Sequence, residues 1–349
     1  MTMGGGNELN ILVVGPSWVG DMVMSQSLLL RLKQDNPGCQ IDVLAPNWCR
    51  PVLARMPQVR QAIAMPVGHG SLQWGVRKTV ASQLADNNYQ QSIILPNSLK
   101  SALVPWMAKI PQRIGWRGEM RYGLLNDMRK LDPQAFPLMV QRYIALAEPA
   151  KQSATELKTI IEPSLQIDRD QQVAMIEKHA LASDRAVAFC PGAEFGPAKR
   201  WPHYHFAALA RLLIAAGKQI ICLGSAKDTA AIIQIKELLS ATERQSFVDL
   251  SGHTDLTQAI DILDQCTAIV SNDSGLMHIG AAVNTPMLAL YGPTSPDFTP
   301  PLSDNAEVIR LIDGYLKLRR TNTEQGYHQS MIDIEPQKVF ERLQKLVAN

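Results

Sequence analysis

The sequence predicts an α/β protein built from two tandem doubly wound domains, each with a parallel sheet covered by helices. Short apolar segments of strand length alternate with helical patterns in two successive series, which is typical of such sheets. The length of 349 residues exceeds what one ordinary open-sheet unit requires. A polar, irregular stretch from residue 148 to about residue 170 separates the two series. We therefore expect one domain over residues 1–165 and a second over residues 166–349.

The first series follows a Gly-rich leader. A short, fully apolar segment at residues 11–14 ends at Gly15 and Pro16, and a helical pattern extends from about residue 19 to residue 33. The remaining predicted strands are residues 41–44, 62–65 and 92–95. The remaining predicted helices include residues 77–84 and 137–147.

The second series repeats this alternation. Its predicted strands are residues 186–190, 219–223, 247–250, 267–270 and 287–290, separated by helical stretches such as 206–216 and 229–239. Ligands of doubly wound sheets bind beyond the carboxyl ends of the strands, so we expect a ligand in a cleft at that edge. The last helix, at about residues 336–347, is expected to pack back on the first domain.

Composition favours a globular protein and gives no general sign of nucleic-acid binding. Hydrophobic residues make up 46% of the chain and charged residues 19%, with a net charge of only +2. The five cysteines lack a C-x-x-C spacing, so we interpret them as reduced core thiols of a cytoplasmic protein. Residues 1–10 lack the features of a signal or transit peptide. Because no apolar run approaches the length of a membrane span, any membrane contact is expected to be peripheral.

The stretch after the strand predicted at 267–270 has the composition of an anion site. Asn272, Asp273 and Ser274 are residue types that cap helices, and a helix of small residues follows them. The first turn of that helix offers free backbone N–H groups and the positive end of the helix dipole to a phosphate. An ordinary capped helix is the alternative interpretation of this stretch alone.

Two further loops of the second domain support a nucleotide site. The loop at residues 191–202 places Lys199 and Arg200 between a strand and a helix, where either cation can hold a diphosphate. The loop at residues 224–228 ends in Asp228, whose carboxylate can accept hydrogen bonds from a ribose diol. Because these loops share one edge of the predicted sheet, we favour a nucleotide over ordinary turn chemistry.

The motifs of two common nucleotide-binding classes are missing. No G-x-G-x-x-G follows either first strand and no G-x-x-x-x-G-K-[ST] occurs, which disfavours dinucleotide oxidoreductases and P-loop enzymes. The only D-x-D, at residues 168–170, lies beside the polar stretch and does not end a strand. We interpret it as solvated charge rather than a metal site.

Two features of the first domain suggest catalysis and glycan binding. Asp21 lies at the start of a helix just beyond the first strand, where it can serve as a general base; a dipole-favoured helix-terminal Asp is the alternative. A series of cations is interleaved with aromatic residues, which suits an anionic glycan as well as a solvated face. The cations are Lys100, Arg113, Arg117 and Arg121, and the aromatic residues are Trp106, Trp116 and Tyr122.

Together these residues resemble the ADP-heptose:lipopolysaccharide heptosyltransferases over nearly the whole chain. The matching strings are GPSWVGDM at residues 15–22, RGEMRYGLLN at 117–126, PGAEFGPAKRWP at 191–202, NDSGLMH at 272–278 and YGPTSPDF at 291–298. The resemblance implies a GT-B glycosyltransferase, in which two Rossmann-like domains face a cleft and the anomeric configuration is inverted. It implies ADP-L-glycero-β-D-manno-heptose as donor and the first heptose of the Kdo₂–lipid A core as acceptor, with no nucleic-acid partner.

The resemblance also implies roles for individual residues. Asp21 matches the family's catalytic base, Lys199 its diphosphate-contacting lysine and Asp228 its ribose-binding acid. Asp273, Ser274, Gly275, Leu276 and His278 match the family's donor-binding turn. The residue patterns themselves add Arg200 and Met277 to the expected donor contacts, and they give the expected acceptor contacts as Lys100, Arg113, Arg117 and Arg121. No cofactor is expected to be required, a divalent metal being at most stimulatory, and no metal ligand is assigned. The expected location is the cytoplasmic face of the inner membrane, with peripheral contact.

Three alternatives remain open from the sequence. One is a sister transferase that adds a different core heptose, which product linkage analysis would reveal. A second is a nucleotide-sugar epimerase of the same fold, which would convert a donor without any acceptor. A third is a two-domain binding protein without catalytic activity, which would release no ADP when donor and acceptor are both present.

Overall fold

The computed structural model describes residues 9–67, 70–149, 159–194, 196–314 and 320–348. The chain divides into two compact units, residues 1–163 and 164–349. Each unit contains one six-stranded sheet in which all paired strands run parallel. Residues 1–8, and residues 150–158 of the predicted linker, lie outside the described residues.

Unit 1 has the strand order β3-β2-β1-β4-β5-β6. The strands are β1 (Asn10–Val14), β2 (Gln40–Ala45), β3 (Gln61–Ala64), β4 (Gln91–Ile94), β5 (Gln112–Trp116) and β6 (Asp127–Arg129). The helices are α1 (Val19–Asp35), α2 (Arg50–Leu53), α3 (Trp74–Leu84), α4 (Leu103–Met107) and α5 (Met139–Ile144). The central strand β1 is buried almost throughout, because both faces of the sheet are covered.

Unit 2 has the strand order β12-β11-β10-β7-β8-β9. Its strands are β7 (Ala186–Cys190), β8 (Gln219–Cys222), β9 (Phe247–Asp249), β10 (Ala268–Asn272), β11 (Met287–Tyr291) and β12 (Ala306–Arg310). Its helices are α6 (Arg169–His179), α7 (His203–Ala215), α8 (Thr229–Glu237), α9 (Leu256–Gln265), α10 (Gly275–Ala282), α11 (Gln329–Ile332) and α12 (Pro336–Ala348). A core centred on Phe189, Trp201 and Phe206 joins the sheet to its helices.

The structure corrects several strand predictions. The strands β5, β6 and β12 were not predicted, because they are short or contain charged and polar residues in place of a continuous apolar run. The strand predicted at residues 267–270 extends through Asn272, since Ser271 and Asn272 are fully buried and continue the pairing with β11. The predicted alternation of strands and helices is otherwise confirmed.

The last helix, α12, packs within unit 2 against α7 and β11. Val339 and Leu343 of this helix belong to the core of that unit. The expected contact with the first domain stays a prediction. All five cysteines are buried and free of disulfides, as predicted. None of the helices within the described ranges is both long and apolar enough to cross a membrane.

Candidate active site

The three loops predicted to bind a nucleotide lie side by side at one edge of the unit 2 sheet. They follow β10, β7 and β8, which are consecutive neighbours in the strand order. The order of the strands reverses between β10 and β7, and such a switch point is the usual ligand position in doubly wound sheets. The fold therefore brings together loops that are far apart in sequence.

The start of α10 is not an ordinary capped helix. Its N-cap residue, Ser274, makes no side-chain capping hydrogen bond. The Asn272 amide instead joins the neighbouring loop: Oδ1 accepts from Trp201 N at 3.1 Å and Nδ2 donates to Pro191 O at 2.7 Å. Since these side chains do not cap the helix, its first-turn N–H groups remain available to an anion.

Lys199 is held beside this helix start by Asp273. Its Nζ donates to Asp273 Oδ2 at 2.7 Å, and the side chains are 23% and 6% exposed respectively. An ammonium group has three N–H donors, so this ion pair leaves donors for a second anion. The structure thus confirms that the Lys199 loop and the Asp273 turn, 74 residues apart, meet in one place.

His278 lies one turn into α10 and is buried. Burial lowers the pKa of its imidazole to about 4; the Lys199 ammonium adds to this effect and the Asp273 carboxylate opposes it. The imidazole is therefore neutral at pH 7. A neutral His278 adds no charge to the site and makes the Lys199 ammonium the principal cation next to the turn.

Asp228 is fixed by its own loop and by two glycines. Its Oδ2 accepts hydrogen bonds from Ser225 N at 2.9 Å and from Ser225 Oγ at 2.8 Å. A Cβ atom added to Gly192 would lie 2.7 Å from the Asp228 carboxyl carbon, and one added to Gly224 would lie 2.9 Å from Asp228 Cβ. Oδ1 has no hydrogen-bond partner among the described residues, so it can accept a ligand hydroxyl.

The other residues predicted to bind the donor differ in which of their groups a ligand can reach. The Met277 side chain is fully buried, so only its backbone is available to a ligand, whereas Gly275 and Leu276 are half-buried. Arg200 borders a cavity of about 140 Å³ together with His203 and Tyr327. Its Nε is buried and has no hydrogen-bond partner within the described ranges. A donor contact by Arg200 stays a prediction.

In unit 1, Asp21 lies in the first turn of α1, immediately after β1. Burial raises the pKa of the Cys49 thiol to about 12 and that of the Tyr143 phenol well above its usual value, and the Asp21 carboxylate adds to both shifts. The preceding loop is held in place because Ser17 O accepts hydrogen bonds from Trp48 Nε1 at 2.8 Å and Cys49 Sγ at 3.6 Å. Asp21 therefore lies in the first helical turn after a loop that these two hydrogen bonds hold in place.

A pocket of about 110 Å³ lies at the same edge of the unit 1 sheet. Its walls come from the segments that follow β1, β2, β3 and β4, and it includes the point where the strand order reverses between β1 and β4. Ser17, Trp48, Arg77 and Lys100 line it. Lys100 is the predicted acceptor cation that the structure places at this pocket.

The other predicted acceptor cations have different surroundings. Arg121 is fully buried: Nη1 donates to Pro96 O at 2.7 Å and Nη2 to Trp116 O, and burial lowers its pKa to about 10. Arg113 donates to Leu124 O and Ile110 O, each at 2.6 Å. Both guanidinium groups therefore stabilise the backbone by hydrogen bonds to carbonyl groups. Contacts of Arg113 and Arg121 with the acceptor stay a prediction. Arg117 is exposed.

Sequence reasoning missed several residues that shape the two sites. Ser225 fixes Asp228, and the spacing Ser-x-x-Asp at a helix start was a signal that could have identified it. Trp48, Cys49 and Tyr143 surround the Asp21 loop, but they are distant in sequence and carry no local motif. The close packing of Gly192 on Asp228 is likewise visible only in three dimensions.

The D-x-D sequence has a structural explanation. Asp168 is the N-cap of α6, and its side chain accepts from Gln171 N at 3.0 Å. Among the described residues, no group of three or more His, Cys, Asp or Glu side chains is arranged to hold a metal ion.

Two doubly wound units, each with a six-stranded parallel sheet, are the architecture of GT-B glycosyltransferases. The model of glycosyltransferase family 9 (heptosyltransferase) matches residues 77–328, and the chain belongs to this family. It is 54% identical over 344 residues to lipopolysaccharide heptosyltransferase 2 of Salmonella typhimurium, covering 97% of this chain and 99% of the relative. It is 52% identical to lipooligosaccharide heptosyltransferase 2 of Haemophilus influenzae, covering 97% and 100%.

A solved structure agrees with these sequence matches. The structure of Escherichia coli ADP-heptose LPS heptosyltransferase II superposes with a TM-score of 0.89 at 51% identity, covering 97% of this chain and 99% of that one. The predicted GT-B fold and glycosyltransferase class are thereby confirmed. The epimerase and binding-protein alternatives lose their support.

Proposed function

We propose that this glycosyltransferase moves L-glycero-D-manno-heptose from ADP-heptose to the first heptose of the Kdo₂–lipid A inner core, with inversion at the anomeric carbon. The names of the relatives at 51–54% identity support this substrate pair. The assignment of ADP-heptose as the donor rests on the start of α10. There, backbone N–H groups without a side-chain cap adjoin the Lys199–Asp273 ion pair. This arrangement suits a diphosphate.

The diphosphate and the ribose of ADP each have a complementary group in unit 2. The diphosphate binds the Lys199 ammonium and the N–H groups from Ser274 to Met277, at the positive end of the α10 dipole. The ribose diol donates to the Asp228 carboxylate, whose orientation Ser225 fixes. Charge and hydrogen-bonding capacity thus match a nucleoside diphosphate without any rearrangement of these side chains.

Charged groups account for both ends of the heptose transfer, the acceptor hydroxyl and the leaving ADP. Asp21 takes the proton of the acceptor's O3 hydroxyl while that oxygen forms a bond to the anomeric carbon of the heptose. The bond from the anomeric carbon to the diphosphate oxygen breaks, and its electron pair leaves with ADP. Lys199 and the α10 N–H groups stabilise the negative charge that develops on the leaving group. We propose on this basis that no cofactor is required and that a divalent metal is at most stimulatory.

The acceptor determines where the enzyme works. A Kdo₂–lipid A acceptor is anchored in a bilayer, so we propose a cytoplasmic enzyme with peripheral contact at the inner membrane. Lys100, at the rim of the unit 1 pocket, is the cation best placed to meet the anionic groups of such a glycolipid. The exposed Arg117 is a second candidate.

The decisive test is a transfer assay with ADP-heptose and heptosylated Kdo₂–lipid A, followed by linkage analysis of the product. We expect ADP release only when both substrates are present, and one heptose joined to the first heptose. A heptose attached elsewhere would identify a sister transferase. Conversion of the donor without an acceptor would identify an epimerase, and either result would overturn the proposal.

A further inference from the structure

The exposed large apolar side chains are unevenly distributed over the described residues. Those of unit 2 are all aliphatic: Val173, Ile233, Leu238, Leu311 and Val347. Those of unit 1 are larger and mostly aromatic or flexible: Trp48, Leu72, Trp74, Trp106, Met120 and Tyr122. Met120 and Tyr122 are 79% and 69% exposed, the highest values of the set. Single exposed apolar side chains are common, but a cluster of them rimmed by polar residues marks a surface that binds something.

Hydrogen bonds connect the segment that carries Leu72 and Trp74 to the unit 1 pocket that Lys100 lines. Arg77 Nε donates to Leu72 O at 2.6 Å, and Arg77 Nη1 donates to Lys100 O at 2.9 Å. The segment that leads into α3, with Leu72 and Trp74 exposed, is therefore fastened to the segment that follows β4. Arg77 itself is buried, so this connection is part of the fold.

The loop with Met120 and Tyr122 is fastened to the same segment. Glu119 Oε2 accepts from Leu99 N at 2.7 Å, and Arg121 Nη1 donates to Pro96 O at 2.7 Å. The residues next to these two anchors, Met120 and Tyr122, extend into solvent. Leu72, Trp74, Met120 and Tyr122, which we call the apolar rim, thus lie on two segments that are both hydrogen-bonded to residues 96–100.

The stretch of chain that contains the apolar rim is rich in cations. Residues 70–126 contain seven lysines and arginines but only two carboxylates, Asp86 and Glu119. Glu119 accepts a backbone N–H, while Lys78 and Arg117 are exposed. Tryptophan and tyrosine beside lysine and arginine are the composition that settles at the headgroup level of an anionic bilayer.

We propose that the apolar rim docks unit 1 on an anionic bilayer surface, with Trp74, Met120 and Tyr122 at the level of the lipid headgroups. This inference rests on the proposed function, because a lipid-anchored acceptor would then emerge from the bilayer beside the pocket that Lys100 lines. The rim and the pocket are continuous, since both adjoin residues 96–100. The docking surface would present the glycan to that pocket.

The test measures flotation of the full chain with vesicles of phosphatidylethanolamine and phosphatidylglycerol that contain no acceptor. We expect binding that weakens with added salt and with phosphatidylcholine vesicles. Trp74→Ser combined with Met120→Ser should lower the vesicle partition coefficient at least about tenfold. The control is Ile233→Ser combined with Leu311→Ser, which removes two exposed apolar side chains from unit 2 and should leave binding unchanged.

Assays of heptose transfer distinguish a wrong docking surface from a wrong proposed function. The rim variant should retain its rate on the deacylated acceptor glycan and lose rate only on acceptor embedded in vesicles. Heptose transfer by a protein that does not bind lipid vesicles would overturn the docking surface alone and point to a protein partner. Vesicle binding with no transfer would overturn the function alone. Equal loss of binding in the control variant would refute the rim as the docking site.

Discussion

Lys199 and Asp273 form an ion pair in which each side chain stabilises the position of the other. Asp273 is almost completely buried, and a buried carboxylate is costly unless a cation compensates it. Lys199 in turn is held at the α10 start instead of extending into solvent. The same contact therefore stabilises the fold and fixes one donor of the proposed diphosphate site, which makes Asp273 a positioning residue in our account.

Replacing Lys199 by Ala should reduce kcat/KM for ADP-heptose about 10- to 100-fold, because one charge-assisted hydrogen bond to the diphosphate is lost. Steady-state kinetics with saturating acceptor measure this change. Lys227→Ala is the matched control, since Lys227 is an exposed lysine of the neighbouring loop that forms an ion pair with exposed Glu194. Unchanged kinetics for Lys199→Ala would argue against a diphosphate contact.

His278 should make the fold sensitive to acid. Its pKa is lowered to about 4 in the folded chain, so between pH 6.5 and 4 the unfolded chain binds a proton that the folded chain does not. The stabilisation is complete above the unfolded pKa and is lost as pH falls towards the folded one. This loss amounts to about 2 kcal/mol between pH 7 and pH 5.

The His278→Gln variant should lack this contribution. Urea unfolding at pH 7 and pH 5 is the measurement, and the free energy of unfolding of the variant should fall by about 2 kcal/mol less than that of the natural sequence. The control is replacement of the exposed His253 by Gln, which removes an imidazole outside the site. An identical pH dependence for His278→Gln and the natural sequence would show that His278 titrates normally in the folded state.

At the scale of elements, the loops after β7 and β8 depend on close packing between Gly192, Gly224 and Asp228. There is no room for a Cβ at Gly192 unless the Asp228 carboxyl moves, and Ser225 holds that carboxyl from the other side. The two loops are thus fitted to each other. The position of the ribose-binding group is set by both of them.

Gly192→Ala should therefore displace Asp228 and raise the Kd for ADP about tenfold, equivalent to one lost hydrogen bond to a charged group. Calorimetric titration with ADP measures the effect. Gly38→Ala is a suitable control, because a Cβ there would meet only one atom, at 3.8 Å. Equal ADP affinity in both variants would mean that the Asp228 carboxylate does not contact the nucleotide.

How far the sequence predicts each element depends on burial. The strands β1, β7 and β10 are buried on both faces, so their apolar runs were recognisable. The loops after β7 and β10 were correctly assigned to one edge of the unit 2 sheet. The strands β6 and β12 are only half-buried and carry charges, so that their runs resemble loops. Pairings such as Lys199 with Asp273 span 74 residues, and no local pattern encodes them.

At the scale of the whole molecule, the chain distributes its chemistry between two units of the same topology. Each unit places its candidate groups at the switch point of its own sheet: Asp21 and Lys100 in one, Lys199 and Asp228 in the other. The prediction of two doubly wound domains came from repeated alternation and length. The assignment of the base to unit 1 and of donor binding to unit 2 came from the types of residue that follow the strands of each unit.

The central claim of this account is that Asp21 is the general base for a reaction whose donor is bound elsewhere in the chain. The most direct measurement is single-turnover transfer by Asp21→Asn, with ADP-heptose affinity determined on the same preparation. We expect transfer to slow by about 10²- to 10⁴-fold while the Kd for ADP-heptose stays unchanged, because the amide cannot accept the proton but leaves the donor site intact. Substantial transfer by Asp21→Asn at unchanged donor affinity would contradict the account and remove Asp21 from the role of base.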